Sequence, residues 1–109
     1  MIHVTIYKNR DQEYMGFDCK GHAGFAAAGA DIVCAGVSAL VLNAVNSVDA
    51  FTEDGFQLET EEESGEISLR FHEKPSLISN LFLRSLFLGL QGIKESYGDK
   101  YISFHYKEV

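Results

Sequence analysis

The longest apolar stretch of the chain is DIVCAGVSALVLNAVNSVDAF, residues 31–51, and it predicts a helix from Ile32 to about Phe51. Asp31 stands directly before the first apolar residue, where a carboxylate caps the free backbone N–H groups of a helix. Few polar residues interrupt the stretch, so we expect this helix to be central and covered on most sides. Its most apolar part, Ile32 to Leu42, is shorter than the roughly 20 residues that cross a bilayer, and we expect no membrane segment.

Alternating apolar and polar residues on both sides of this helix predict β-strands. The expected strands are 2–8, 13–21, 56–59, 67–71 and 100–107, and a second helix is expected over 77–97. The order β-β-α-β-β-α-β, without strict βαβ alternation, predicts an α+β fold with a mostly antiparallel sheet packed with two long helices. The 109 residues contain no linker or low-complexity tract, so we expect a single domain over residues 1–109.

The charge and the amino-terminal pattern exclude several classes of protein. A net charge of −7 makes nucleic acid an improbable direct partner, because phosphate binding needs clustered lysine and arginine. The first residues alternate like a strand and lack the pattern of a signal peptide, so we expect a cytoplasmic protein. Seven of the 16 acidic residues lie in residues 53–66. We interpret this segment as a solvated hairpin edge, with a docking surface for a basic partner as the alternative.

The two cysteines are expected to occupy different environments. Cys19 should share the apolar face of the second strand with Met15 and Phe17, opposite Tyr14, and be buried. Cys34 would be the third residue of the first helix, where free N–H groups and the helix dipole favour an anion and could hold an oxyanion. Two thiols are too few for a disulfide framework, and we expect both to be reduced.

Two polar residues lie close enough in sequence to assist a thiol at position 34. His22, in Gly21-His22-Ala23, follows a strand and its ring can stand free, as a Cys-His pair requires; the alternative is a surface histidine. Ser38 follows Cys34 by one helical turn, so it can offer its hydroxyl to the same site or bond the carbonyl four residues back.

Metal and cofactor chemistry is not expected from the sequence. Cys19, His22, Asp31 and Cys34 could supply four ligands, but they lack paired Cys-x-x-Cys spacing, so we expect no metal site. No phosphate-binding loop or dinucleotide fingerprint is present, and we expect no cofactor. The remaining histidines are expected at solvent-facing or edge positions, and these are His3, His72 and His105.

Two segments resemble the signature of a known family. Gly21-His22-Ala23, followed by Gly29-Ala30-Asp31-Ile32-Val33-Cys34-Ala35-Gly36-Val37-Ser38-Ala39, is similar to that of the bacterial ribosomal-processing cysteine protease family, Prp. The resemblance implies a homodimeric endopeptidase that removes a short N-terminal extension from large-subunit ribosomal protein twenty-seven. It also implies that His22 and Cys34 are the catalytic pair and that the intervening loop is mobile. Where relatives usually carry acidic, aromatic or histidine side chains before the loop glycine, this chain has Ala26-Ala27-Ala28.

A mechanism follows from this pairing as an expectation. Cys34 attacks the scissile carbonyl, and His22 accepts the thiol proton and then delivers it to the leaving amine. Asp31 caps the helix and helps to orient the site, while backbone N–H groups near Cys34 hold the oxyanion. The competing hypothesis is a non-enzymatic ribosome-assembly or dimerisation module that docks its basic partner on the acidic hairpin.

Overall fold

The structure, a computed structural model that describes residues 1–27 and 30–109, is a five-stranded sheet with two long helices. The elements are β1 (Ile2–Lys8), β2 (Tyr14–Lys20), α1 (Ile32–Phe51), β3 (Phe56–Glu61), β4 (Glu66–Phe71), α2 (Leu77–Tyr97) and β5 (Ile102–Glu108). This order and the α+β class agree with the prediction. The bounds of β1, α1 and α2 are those predicted, and the bounds of the other strands differ by at most two residues.

The sheet order is β3-β4-β2-β1-β5, so the two hairpins lie side by side and β5 closes one edge. All neighbouring strands are antiparallel except β1 and β5, which are parallel. Because β2 pairs with β4, the end of β2 meets the turn between β3 and β4. The backbone N–H of Gly21 donates to the carbonyl of Ser64 at 2.8 Å, and this bond fixes the start of the loop that leads to α1.

Both helices cover one face of the sheet, and the core lies between the two layers. The fully buried side chains in this core come from both layers and include Val4, Phe17, Leu69, Ile102, Val41, Val48, Leu83 and Leu90. The opposite face of the sheet is covered by neither helix. It carries polar side chains such as His3, Asp18 and Arg70, which alternate along the strands with the buried residues.

The expectation that α1 is covered on most sides is wrong. Its buried residues lie along one side and are Val33, Val37, Val41, Ala44, Val45 and Val48. Ile32, Leu42 and Phe51 are 55%, 48% and 70% exposed. The physical reason is that α1 and α2 lie side by side on the same face of the sheet, so the side of each helix that points away from the sheet is exposed to solvent.

The sequence analysis expected no membrane segment because the apolar part of α1, Ile32 to Leu42, is short, but the whole helix is longer. Over Ile32–Phe51 it is long and apolar enough to cross a membrane on length and composition alone. The core helix of a globular domain meets the same criterion, and the inner side of α1 packs in such a core here.

The faces of β2 differ from the prediction at Tyr14. The register of β1 with β2 shifts between Tyr7 and Lys8, which pairs Lys8 with Tyr14. This irregularity turns Tyr14 toward the helices, where its ring meets Phe87 edge-on with centroids 5.0 Å apart. Tyr14 therefore shares the apolar face instead of lying opposite to it.

The segment between β2 and α1, residues 21–31, is described except for Ala28 and Gly29, so the last residue of the alanine run lies outside the described residues. Its one large side chain is Phe25, whose ring packs edge-on against Tyr97 and Tyr101 with centroids 5.5 and 5.3 Å away. Residues 25–27 form bends and no helical turn. The loop is thus attached to the end of α2 and the start of β5.

Candidate active site

Asp31 caps α1 as predicted and thereby positions Cys34. Its Oδ1 accepts hydrogen bonds from the backbone N–H groups of Val33 and Cys34, each at 3.0 Å. Its Oδ2 accepts from the N–H of Phe25 at 3.0 Å, so the same carboxylate also holds the loop. Partial desolvation opposes ionisation, but the backbone hydrogen bonds, from Cys34 first, outweigh it and lower the pKa of Asp31.

The sulfur of Cys34 receives a hydrogen bond that the sequence did not predict. The backbone N–H of Ala23 donates to Cys34 Sγ at 3.1 Å. Three N–H groups of the first helical turn are already engaged, because Asp31 accepts those of Val33 and Cys34 on its carboxylate and that of Ala35 on its carbonyl. The donor directed at the sulfur therefore comes from the loop and not from the helix.

His22 is an exposed side chain whose ring is held by the turn between β3 and β4. Its Nε2 lies 3.1 Å from the carbonyl oxygen of Glu63. A carbonyl oxygen only accepts hydrogen bonds, so Nε2 carries the proton in this contact and Nδ1 keeps a free lone pair. Among the hydrogen bonds of the described residues, none joins His22 directly to Cys34.

Two surface cavities meet at the residues that the sequence singled out. One cavity has a volume of about 490 Å³ and the other about 380 Å³, and His22, Cys34 and Ser38 line both. Ser38 is exposed, and within the described chain its hydroxyl makes no hydrogen bond to the carbonyl of Cys34. The structure thus brings together the four residues predicted for the site, since Asp31 lines the smaller cavity.

The larger cavity has an apolar floor and an acidic wall. The floor residues include Ile2, Val37, Val41 and Ile67. The wall contains Glu61, Glu62 and Glu66 from the second hairpin. The acidic segment is therefore both the edge of the sheet, as predicted, and one side of this cavity.

Cys19 is buried as predicted, with 5% of its surface exposed. Burial, and to a smaller extent negative charge at Cys34, raises the pKa of Cys19 to about 11. Cys19 also lines the larger cavity. Over residues 1–27 and 30–109, no group of three or more His, Cys, Asp or Glu side chains is arranged to hold a metal ion.

The sequence analysis missed the backbone groups that hold the site. Ala23 contributes only its N–H, Glu63 and Ser64 contribute carbonyl oxygens, and Gly65 gives the turn its shape with a φ of +67°. The Ser64-Gly65 pair indicates a turn in the sequence. No local pattern connects that turn with a histidine 41 residues before Glu63.

The family of the chain follows from a comparison of its whole length with known families. The family model of the cysteine protease Prp matches residues 1–103. The chain belongs to this family. Membership gives the class of activity, that of a cysteine protease, and sets aside the non-enzymatic module as the primary function.

Prp relatives from two bacteria support the same conclusion. The ribosomal processing cysteine protease Prp of Bacillus subtilis is 34% identical over 91% of this chain and 92% of its own length. A crystal structure of the S. aureus protease Prp with a covalently linked product peptide superposes with a TM-score of 0.92. It is 30% identical and covers 98% of this chain and 100% of that one. A second structure, with a substrate peptide, has a TM-score of 0.86 at 29% identity over the same shares.

The two thiols of this Prp relative should differ strongly in reactivity. At neutral pH, a thiol with the pKa of Cys19 is ionised to only about one part in 10⁴, and the thiolate is the form that reacts with iodoacetamide. Cys34 is partly exposed, so we expect its alkylation to be at least ~100-fold faster. Peptide mass spectrometry over a time course measures both rates, with Cys34→Ala as the control for Cys19. Equal, slow rates would contradict a nucleophilic Cys34.

Proposed function

We propose that this protein is a cysteine endopeptidase that removes the short N-terminal extension of large-subunit ribosomal protein twenty-seven. In this proposal Cys34 is the nucleophile and His22 the general base and acid. The observation that carries it is the position of His22, Cys34 and Ser38 where two cavities meet. A peptide laid across both cavities would have its scissile bond over the sulfur, with its two ends in different cavities.

The proton transfer in this mechanism uses Nδ1 of His22. Since Nε2 donates to the carbonyl of Glu63, Nδ1 is the nitrogen with the lone pair that accepts the thiol proton. The sulfur then attacks the carbonyl carbon, and protonated Nδ1 delivers its proton to the leaving amine. The Glu63 carbonyl also stabilises the imidazolium, because it continues to accept the Nε2 proton throughout.

The N–H of Ala23 is the donor best placed for the charge that develops during attack. It lies 3.1 Å from Sγ in the resting site and stabilises negative charge on the sulfur. When the sulfur bonds to the carbonyl carbon, the negative charge moves to the oxygen of that carbonyl group. In this proposal the backbone of the same loop and the Ser38 hydroxyl lie within reach of this oxyanion. The helix N–H groups predicted for this role would remain bonded to Asp31.

Water completes the reaction by attacking the thioester. His22 takes a proton from the water through Nδ1, and collapse of the tetrahedral intermediate breaks the carbon–sulfur bond. The sulfur recovers its proton from His22, which regenerates the enzyme. Asp31 acts as a positioning residue in both the formation and the hydrolysis of the thioester, because it holds Cys34 and the loop at the same time.

The acidic wall of the larger cavity supports a ribosomal substrate. Glu61, Glu62 and Glu66 line that cavity, and the chain as a whole carries a net charge of −7. Proteins that bind ribosomal RNA are rich in lysine and arginine, so such a wall favours their encounter with this site.

The cytoplasmic location expected from the amino-terminal pattern and the homodimer implied by the family resemblance belong to the same proposal. Two unpaired cysteines fit a reducing compartment.

The outer side of α2 carries three exposed leucines, Leu77, Leu81 and Leu88, with exposed fractions of 86%, 59% and 76%. This apolar side supports the binding of a second copy of the chain there.

The experiment that tests the proposal is cleavage of the precursor. The purified protein is incubated with ribosomal protein twenty-seven carrying its extension, and intact-mass spectrometry follows the product. We expect a single internal cut that releases the extension and leaves the mature protein intact. A precursor that keeps its mass under conditions in which Cys34 is alkylated rapidly would refute this substrate while leaving the protease class in place.

Gly65→Ala should impair cleavage by displacing His22. A Cβ at Gly65 would lie 2.8 Å from the Gly21 carbonyl oxygen and 3.1 Å from His22 Cε1. We expect at least a ~10-fold lower kcat, since small displacements of a catalytic group have large effects. Gly98→Ala is the matched control, because Gly98 also has a positive φ, +111°, with nothing within 4 Å of its Cβ position. Equal kcat values in the two variants would argue against the turn as the element that orients His22.

A further inference from the structure

A second cluster of polar side chains lies on the face of the sheet that neither helix covers. It consists of His3 in β1 with Ser103 and His105 in β5. The parallel register pairs His3 with Ser103 and Thr5 with His105, so the three side chains project from the same face of the sheet. None of them lines the two cavities of the candidate active site, and the proposed mechanism uses none of them.

The three polar atoms of this cluster lie within 3.3 Å of one another. His3 Nδ1 and His105 Nε2 are 3.3 Å apart. Ser103 Oγ lies 3.0 Å from the first nitrogen and 2.9 Å from the second. The rings are stacked with centroids 5.5 Å apart and an interplanar angle of 30°.

This triangle has the dimensions of one face of a metal coordination shell. Two imidazole nitrogens bound to one ion at about 2.0–2.1 Å, at angles of about 90–110°, lie roughly 2.9–3.4 Å apart. The separation of 3.3 Å between His3 Nδ1 and His105 Nε2 lies within that range. The hydroxyl occupies the third corner, and the exposed side of the triangle is open to water as a further ligand.

We propose that His3 and His105, with Ser103 at the third corner, bind a divalent transition metal ion of the borderline class. Imidazole ligands suit Cu²⁺, Ni²⁺ and Zn²⁺, and Cu²⁺ should bind most tightly of the three. Lys20 pairs with His3 in the sheet, and its ammonium group opposes a cation. We therefore expect a reversible surface site and not a site on which folding depends.

Such an ion would link β1 to the edge strand β5. An ion that binds only the folded protein stabilises it by mass action, so Cu²⁺ should raise Tm. Both histidines are exposed, and their replacement should leave the fold intact.

The test uses the full chain with Cys34→Ala, which removes the accessible thiol as a competing ligand. Cu²⁺ alone is titrated and followed by calorimetry and electron paramagnetic resonance. We expect one equivalent bound with hyperfine structure from two imidazole nitrogens. His3→Ala and His105→Ala, each added to this background, should weaken binding at least ~10-fold, whereas His72→Ala should leave it unchanged.

Two results would overturn the proposal. If His105→Ala binds Cu²⁺ as tightly as its parent, the ion is held elsewhere or by His3 with its neighbouring backbone alone. If the spectrum contains one imidazole nitrogen, the two rings do not share an ion. Circular dichroism of each variant tests whether it is folded, so that a loss of binding can be assigned to the loss of a ligand and not to unfolding.

Discussion

Cys34→Ala is expected to abolish cleavage of the precursor while the protein stays folded. Without the sulfur no thioester can form, so we expect the rate to fall by roughly 10⁴-fold or more. The substitution also removes the acceptor of the Ala23 N–H, a loss of about 1 kcal/mol in the free energy of unfolding. Intact-mass spectrometry measures the rate, and thermal unfolding measures the stability.

The outcome is decisive because the cap of α1 does not depend on the thiol. The bonds from Asp31 to the backbone of residues 33–35 remain in Cys34→Ala, so α1 should keep its first turn. Full activity of this variant would eliminate Cys34 as the nucleophile, whatever its alkylation rate.

His22→Ala should have the second largest effect, a loss of about 10²–10⁴-fold in kcat, which is the usual contribution of a general base and acid. His72→Ala is the matched control, since it removes another exposed imidazole, one that lines neither active-site cavity. Imidazole added to the buffer should restore part of the rate to His22→Ala, because the vacated ring position is open to solvent. Activity equal to that of His72→Ala would remove His22 from the mechanism.

The parts of the site that the sequence predicted are those with local signals. Asp31 before an apolar run predicts the cap, and the cap fixes where Cys34 lies relative to the helix end. Alternation in β2 likewise predicts the burial of Cys19. Each of these depends on residues within a few positions along the chain, where cap geometry and strand alternation act.

The parts that the sequence did not predict depend on distant pairings. Tyr14 changes face because of a register shift relative to β1, which no pattern within β2 indicates. The outer side of α1 is exposed because α1 and α2 lie side by side on the same face of the sheet. This placement depends on the topology of the whole chain and not on the sequence of α1. The contact of His22 with Glu63 uses a backbone carbonyl, a group that every residue carries and no sequence pattern singles out.

The distance along the chain between His22 and the turn that holds it has a consequence for synthesis of the protein. A nascent chain that has emerged only as far as the end of α1 already contains the thiol and the imidazole. It lacks the carbonyl of Glu63, 41 residues after His22, and the β4 partner of β2. If His22 acts as proposed, proteolytic competence would therefore begin only after the second hairpin has been translated and has joined the sheet.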